Sequence, residues 1–227
     1  MRRWLVVLAL VVGLVALLRS FPLAWAFPGA AAFLGTPSGT IWNGQITGVP
    51  LLGQVSVSTR PSGVRLDTPR APATRQFSAV VRPGLLRDAR LLMPVADLPV
   101  QDARLAGLRG TLGLDMAEAR WDGNGCLEAQ GTARTDVLAA NGAQFGWSGP
   151  PLSGPVDCVE GRLRVRLSGE GDGAAVQASV VTGVDGVYRS EVTVRSDDSA
   201  AGNALALFGF ARAAPGEYRL SEQGRWR

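Results

Sequence analysis

The clearest strand of this chain is Arg162–Ser168, which reads RLRVRLS. Its Leu and Val residues alternate with Arg, so one face of the strand is apolar and the other is charged. This pattern predicts a half-buried strand of an antiparallel sheet, with one face on the core and the other in water. We expect the charged face, Arg162, Arg164 and Arg166, to be solvated or to contact a partner or acidic lipid headgroups.

Similar short apolar runs recur on either side of this strand, separated by Gly, Pro, Asn or Asp. The chain contains 29 Gly and 14 Pro, which suits frequent turns. We predict about ten to twelve strands in an all-β fold, as an antiparallel meander, a curved open sheet or a sandwich. The other runs are Thr40–Ile46, Leu52–Thr59, Gln76–Arg82, Arg87–Met93, Gly107–Ala119, Cys126–Arg134, Ala174–Val181, Val187–Val194 and Glu217–Trp226.

Two stretches are less regular. Leu205–Phe210 is apolar and fits either a strand or a short helix, whereas Asn141–Pro155 is rich in Gly and Pro and is predicted to be a loop. The strands fall into one domain, residues 28–227, which could consist of two similar halves that divide near residue 121.

The N-terminal segment has a different composition from the predicted β domain. Arg2 and Arg3 precede fifteen mostly aliphatic residues, Trp4–Leu18, which cover about 22 Å as a helix. Basic residues before such a run keep the N-terminus in the cytoplasm and direct the following chain across the membrane. We therefore predict a cytoplasmic stub and transmembrane signal-anchor within residues 1–27, with residues 4–26 contacting the membrane.

A cleaved signal peptide is the alternative to this anchor. Ala24-Trp25-Ala26 fits the small-x-small pattern of a cleavage site, which would lie after Ala26. Both interpretations export residues 28–227, so we expect an exported β domain in either case.

The charge and composition of the exported part exclude several function classes. Three of the 23 basic residues lie in the first 27 positions, which leaves 20 Arg against 19 Asp and Glu. A balanced domain without basic runs is a poor nucleic-acid binder. The chain has no His, which removes the commonest general base and most zinc sites. We therefore predict no catalytic residues, no metal and no cofactor.

The chain has two cysteines, Cys126 and Cys158. An even pair in an exported chain predicts a structural disulfide. A redox-active pair would normally be spaced Cys-x-x-Cys, and a metal site would need more ligands than two thiols.

Several motifs then follow one another in a characteristic order. They are Pro22–Trp25, Gly39–Gly44 (GTIWNG), Leu52–Val55, Trp121–Cys126 (WDGNGC), Cys158 and Gly161–Leu163. In this order the chain resembles the type II secretion system protein N family of Gram-negative bacteria, over nearly its whole length. The resemblance implies a bitopic inner-membrane protein with a periplasmic β domain. It also implies an accessory, non-enzymatic role in secreting folded proteins across the outer membrane, in contact with other secretion components.

Two tryptophans are candidate partner contacts. Trp42 could anchor a partner at the tip of the GTIWNG motif, but we favour core packing for its side chain, with Gly44 in a turn or bulge. Trp147, within the Gly- and Pro-rich stretch, is the better candidate for an exposed contact. An alternative function is that of an envelope lipid-binding or lipid-shuttling protein, for which an apolar concave face of the sheet would be required.

Overall fold

The computed structural model describes residues 22–23, 35–49, 52–68, 74–98, 107–171 and 173–225. The chain divides into two compact units, Met1–Ala71 and Pro72–Arg227, which are described separately below. The described residues form fourteen strands, all paired antiparallel where their register is given. The predicted all-β, antiparallel fold is confirmed, and within each unit nearly all strands pair with their neighbours in sequence, as in an open meander.

The first unit is a four-stranded meander in sequence order. Its strands are β1 (Thr36–Gly39), β2 (Gly44–Val49), β3 (Gly53–Arg60) and β4 (Gly63–Asp67). Val55 and Val57 point to the buried face of β3, and Leu23 is buried in the same unit. A Cβ on Gly44 would lie 2.7 Å from the Thr40 carbonyl oxygen and 2.8 Å from the Leu23 side chain, so glycine is required where Leu23 packs on β2.

The second unit contains ten strands. They are β5 (Gln76–Arg82), β6 (Leu85–Pro94), β7 (Thr111–Asp122), β8 (Gly125–Thr135), β9 (Leu152–Val159), β10 (Arg162–Gly171), β11 (Ala174–Thr182), β12 (Val187–Ser196), β13 (Ala211–Ala214) and β14 (Glu217–Arg225). Strands β5 to β12 pair in sequence order, and β14 then lies between β12 and β13. Residue 121 lies in the β7–β8 hairpin, inside this unit.

Short helices follow two of these strands. Helices α1 (Val137–Ala140) and α2 (Gly142–Phe145) connect β8 to β9, α3 (Ser199–Leu207) connects β12 to β13, and a 3₁₀ turn (Val95–Asp97) follows β6. Helix α3 begins where the Asp198 carboxylate accepts a 2.8 Å hydrogen bond from the Ala200 N–H, a typical N-cap. Leu205–Phe210, for which strand and helix were both open, therefore contains the end of this helix.

The core of the second unit consists of two apolar clusters. One cluster lies on β5 to β9, and its buried members are Ala79, Ala89, Met116, Ala119 and Val156. The other joins β9, β11 and β12 to the segment after α2 and to α3, with buried members that include Trp147, Leu152, Val176, Val194, Ala201 and Leu205. The Arg162–Ser168 strand contributes to both, through Leu163 and Val165 in the first and Leu167 in the second.

One sequence prediction is wrong: Asn141–Pro155 is not simply a loop, because α2 and the start of β9 lie within it. Strand β9 is not evident in the sequence because it contains Gly154 and Pro155, two residue types that are typical of turns. The β9–β10 pairs Val165–Val156 and Ser168–Ser153 have the same register, but no pair is formed between them, beside Pro155, which has no N–H to donate. The same Pro155 still pairs with Thr132 on β8.

The predicted membrane segment, residues 4–26, lies outside the described residues except for Pro22 and Leu23. Pro22 forms an isolated antiparallel bridge with Thr40. Within the described ranges, no helix is both long enough and apolar enough to cross a membrane.

Candidate functional site

The predicted disulfide is present between Cys126 on β8 and Cys158 on β9, with a Cα–Cα distance of 5.7 Å. The two strands pair only from Gly131 to Thr135, opposite 152–156. The disulfide therefore joins their other ends, beyond the hydrogen-bonded part. There the Cys126 N–H donates instead to the Gly161 carbonyl, at 2.8 Å. Its position indicates a structural role.

The two motifs that carry the family resemblance both form turns. In GTIWNG, the Thr40 N–H donates to the Asn43 carbonyl at 3.2 Å, and this turn joins β1 to β2. In WDGNGC, the Asp122 carboxylate accepts hydrogen bonds from the Asn124 and Gly125 N–H groups at 2.7 and 3.1 Å. The Asx turn at Asp122 holds the β7–β8 hairpin in register, and the backbone hydrogen bond at Thr40 closes the β1–β2 turn, so both motifs have a structural explanation.

Both expectations about the tryptophans are wrong. Trp42 is 45% exposed and does not pack in the core. It lies on the turn between β1 and β2, outside the strands whose alternating residues form the buried face. Trp147 is only 7% exposed and belongs to the second core cluster. The chain folds back after α2, so the indole lies against the sheet although its neighbours are Gly and Ser.

The three arginines predicted to share one strand face are partly neutralised by carboxylates. Arg164 donates hydrogen bonds of 2.8 and 2.7 Å to Asp157, and Arg166 donates a third of 3.0 Å. These hydrogen bonds, that of Arg164 above all, hold the pKa of Asp157 below its usual range. Arg162 lies 4.0 Å from Asp185. Since these acidic groups belong to the chain itself, the face is less cationic than its sequence indicates.

The second unit contains a cavity of about 310 Å³, which we call the apolar cavity. Its floor is the sheet, where alternate residues of neighbouring strands point to one side. These floor residues are Leu152, Val176, Ala178, Val192, Val194 and Leu220. The floor therefore uses the apolar face of β9, β11, β12 and β14.

Short helices and the segments after them cover this floor. Leu138 of α1, Phe145 of α2 and Leu205 of α3 line the cavity, together with Trp147, Phe208 and Phe210. The Phe145 and Phe208 rings meet edge to face, with centroids 4.9 Å apart and an interplanar angle of 78°. The aromatic contact joins the α2 side of the cover to the α3 side.

Asn141 holds the first two helices of the cover in place. Its buried amide donates to the carbonyls of Arg109 and Val137 at 2.8 and 2.6 Å, and accepts from the Arg109 N–H at 2.9 Å. The Asp136 carboxylate before α1 accepts a 2.6 Å hydrogen bond from the Thr111 N–H. The cover is therefore tied to the chain that enters β7, and the Asn141 amide is already engaged by the protein.

The chemistry of the cavity is that of a binding site for an apolar group. Among the described residues that line it, Glu222 is the one charged side chain and also the one exposed residue, so the cavity opens beside this carboxylate. The Trp147 indole N–H is buried and has no hydrogen-bond partner within the described part of the chain. In the same part, His, Cys, Asp and Glu form no cluster suited to a metal ion.

Sequence reasoning did not find the apolar cavity. Its lining comes from Leu108 to Glu222, across strands and helices that are distant in sequence. The available signal was the apolar series Val137, Leu138, Phe145 and Trp147, which is unusual for a loop open to solvent.

The whole chain was also compared with known proteins. The sequence model of one family, described as type II secretion system (T2SS), protein N, matches residues 30–221. Neither the curated proteins nor the solved structures include a significant match.

Proposed function

Because the chain belongs to the type II secretion system protein N family, we propose that it is an inner-membrane-anchored, periplasmic part of this machine that acts by protein–protein contacts. Membership implies an accessory component of type II secretion that interacts with other components. The observation that carries the proposal is the extent of the family match, which covers residues 30–221 and so includes β1 to β13 and the first half of β14.

The proposed location is supported by the sequence of the N-terminus and by the disulfide. Arg2 and Arg3 followed by an apolar run favour insertion with the N-terminus in the cytoplasm. Because Pro22 pairs with Thr40 and Leu23 is buried, we place the membrane-spanning part before residue 22. The Cys126–Cys158 disulfide supports an oxidising compartment for the second unit, as disulfides persist in the periplasm and are rare in the cytosol.

The proposed mode of action is contact without catalysis. Trp42 is exposed at the tip of the β1–β2 turn, and partly exposed tryptophans are frequent anchors of protein interfaces. We infer that Trp42 contacts another component of the machine. The arginine face is a weaker candidate, since Asp157 and Asp185 already neutralise much of its charge.

The test is secretion by a strain in which this gene is deleted and then restored. We expect the secreted enzymes to remain in the periplasm of the deletion strain and to be released again when the full chain is supplied. Trp42→Ala should lower release, whereas Leu127→Ala should not. Leu127 is a matched control because it is also an exposed apolar residue, at 62%, but lies on β8 and not on the β1–β2 turn.

A second readout is the association of the full chain with other secretion components. After mild crosslinking, membrane fractions should yield these components with the wild-type chain and less of them with Trp42→Ala. Unchanged secretion in the deletion strain, together with no crosslinked component, would contradict the proposal. Recovery of the chain as a reduced protein in the cytosol would contradict the location.

A further inference from the structure

We propose that the apolar cavity holds one ester-linked acyl chain of a membrane lipid. This inference goes beyond the proposed secretion role and does not depend on it. The size of the cavity sets the first limit. At about 310 Å³ it is about twice the roughly 150 Å³ cavity that accepts benzene, and it lies near the lower end of ligand sites. That volume suits part of a single hydrocarbon chain and is too small for a whole two-chain lipid.

The lining selects an aliphatic ligand. Aliphatic side chains of four strands form the floor, and Phe145, Phe208 and Phe210 form much of the cover. Asn141 offers no free amide group to a ligand, because the backbone of Arg109 and Val137 occupies it. Inside the cavity, the Trp147 N–H is then the one donor without a partner among the described lining residues. A polar ligand would lose its hydration for at most this one hydrogen bond, whereas a hydrocarbon chain has no such hydration to lose.

The charge at the mouth favours an ester over a free fatty acid. Glu222 is the exposed lining residue, and no arginine is among the described residues that line the cavity. A fatty-acid carboxylate at this mouth would meet a like charge without a compensating cation. An ester carries no charge at that end of the chain, so it avoids this repulsion.

The Trp147 indole provides an independent indication. It lines the cavity, it is buried, and its N–H has no partner within the described residues. A buried donor without an acceptor is destabilising, and native proteins seldom leave one so. An ester carbonyl that enters the cavity as far as Trp147 would accept a hydrogen bond from this N–H, whereas a plain hydrocarbon would supply no acceptor.

The experiment uses the full chain in its own membrane. Cells that express it are fed a fatty acid with a diazirine near the end of its chain, which they incorporate into their phospholipids. After irradiation, the chain is purified and digested, and crosslinked peptides are identified by mass spectrometry. We expect adducts of intact phospholipid mass on cavity residues such as Val192, Phe208 and Leu220.

Two substitutions on one strand provide the matched comparison. Ala178→Trp fills the cavity from its floor, and we expect it to abolish the cavity adducts. Ala175 lies three residues earlier on β11 and so faces the other side of the sheet, where Trp should leave the adducts intact. Formation of the Cys126–Cys158 disulfide in each variant reports whether the second unit has folded.

The wild-type map by itself can overturn the inference, even if Ala178→Trp fails to fold. Adducts that are confined to the N-terminal segment, or adducts whose mass is that of a free fatty acid, would do so. A cavity filled by another segment of this chain or by a protein partner would leave its residues unlabelled, which would also overturn it. An equal loss of adducts in Ala175→Trp would show that labelling does not depend on the cavity.

Discussion

Removal of the Cys126–Cys158 disulfide should destabilise the second unit strongly. The cysteines are 32 positions apart, so the bond closes a loop of about 33 residues in the unfolded chain. The chain-entropy relation gives about 3.7 kcal/mol at 25 °C for such a loop. Since domains are typically stable by only about 5–15 kcal/mol, this is a large part of the total. It corresponds to a several-hundred-fold change in the ratio of folded to unfolded protein, on the order of 500-fold.

The structure adds a reason why other contacts will not replace the disulfide. Strand β8 pairs with β9 only over 131–135 and 152–156. The ends of the two strands that carry the cysteines are therefore not hydrogen-bonded to each other. In the double variant Cys126→Ala/Cys158→Ala, we expect these ends to separate before the rest of the sheet. Hydrogen exchange should therefore be faster at the start of β8 than at its end.

The assay is chemical denaturation of the full chain in a mild non-ionic detergent, followed by tryptophan fluorescence. The oxidised wild type is compared with the double variant and with the wild type after reduction. Leu127→Ala is the control, since it changes an exposed neighbour of Cys126 and should alter stability by less than about 0.5 kcal/mol. A loss below about 1 kcal/mol in both the double variant and the reduced protein would refute the entropic reasoning.

Two further predictions concern β9. Because Arg164 and Arg166 depress the folded-state pKa of Asp157, their interaction stabilises the fold above the unfolded-state pKa of about 3.9 and is lost as the pH falls through the folded-state value. Asp157→Asn should therefore lower the thermal midpoint at neutral pH. The difference in midpoint between variant and wild type should disappear as the pH falls below about 3.9, and a difference that persists in acid would contradict this. Gly154→Ala should destabilise the fold by about 1–3 kcal/mol in a denaturant titration, because its Cβ would overlap the Arg166 carbonyl. Ser153→Ala, an exposed neighbour, is the control, and equal stability of the two variants would contradict the overlap.

The strands that could be predicted are those whose own residues alternate. RLRVRLS lies within β10, and its apolar residues pack on both core clusters as the alternation requires. The disulfide could be predicted from the number of cysteines and the export signal. Strand β9 could not, because Gly154 and Pro155 are typical of turns and only their neighbours β8 and β10 show why they are tolerated.

The apolar cavity could not be predicted, because the burial of its residues depends on which helices and loops pack over which strands. Trp147 follows Gly146 and precedes Ser148, so its sequence neighbourhood is typical of an exposed turn. Trp42 shows the opposite error: an aromatic residue in a regular motif was expected in the core and lies on a turn. In both cases, the contacts that determine whether the tryptophan is buried are made by residues distant in sequence. A local sequence pattern carries no information about such contacts.

The pairing of strands in sequence order has a consequence for how this chain assembles. Most strands pair with the next strand in the sequence, so each pairing closes only a short loop. Such topologies have a low contact order, and a low contact order favours fast folding. Hairpins can therefore form one after another as the polypeptide emerges from the N-terminal side. The exception is β13, which reaches the sheet only through β14, a strand that follows it. Strand β13 can therefore pair only after Glu217–Arg225 has joined β12, so this edge of the second unit is the last to form.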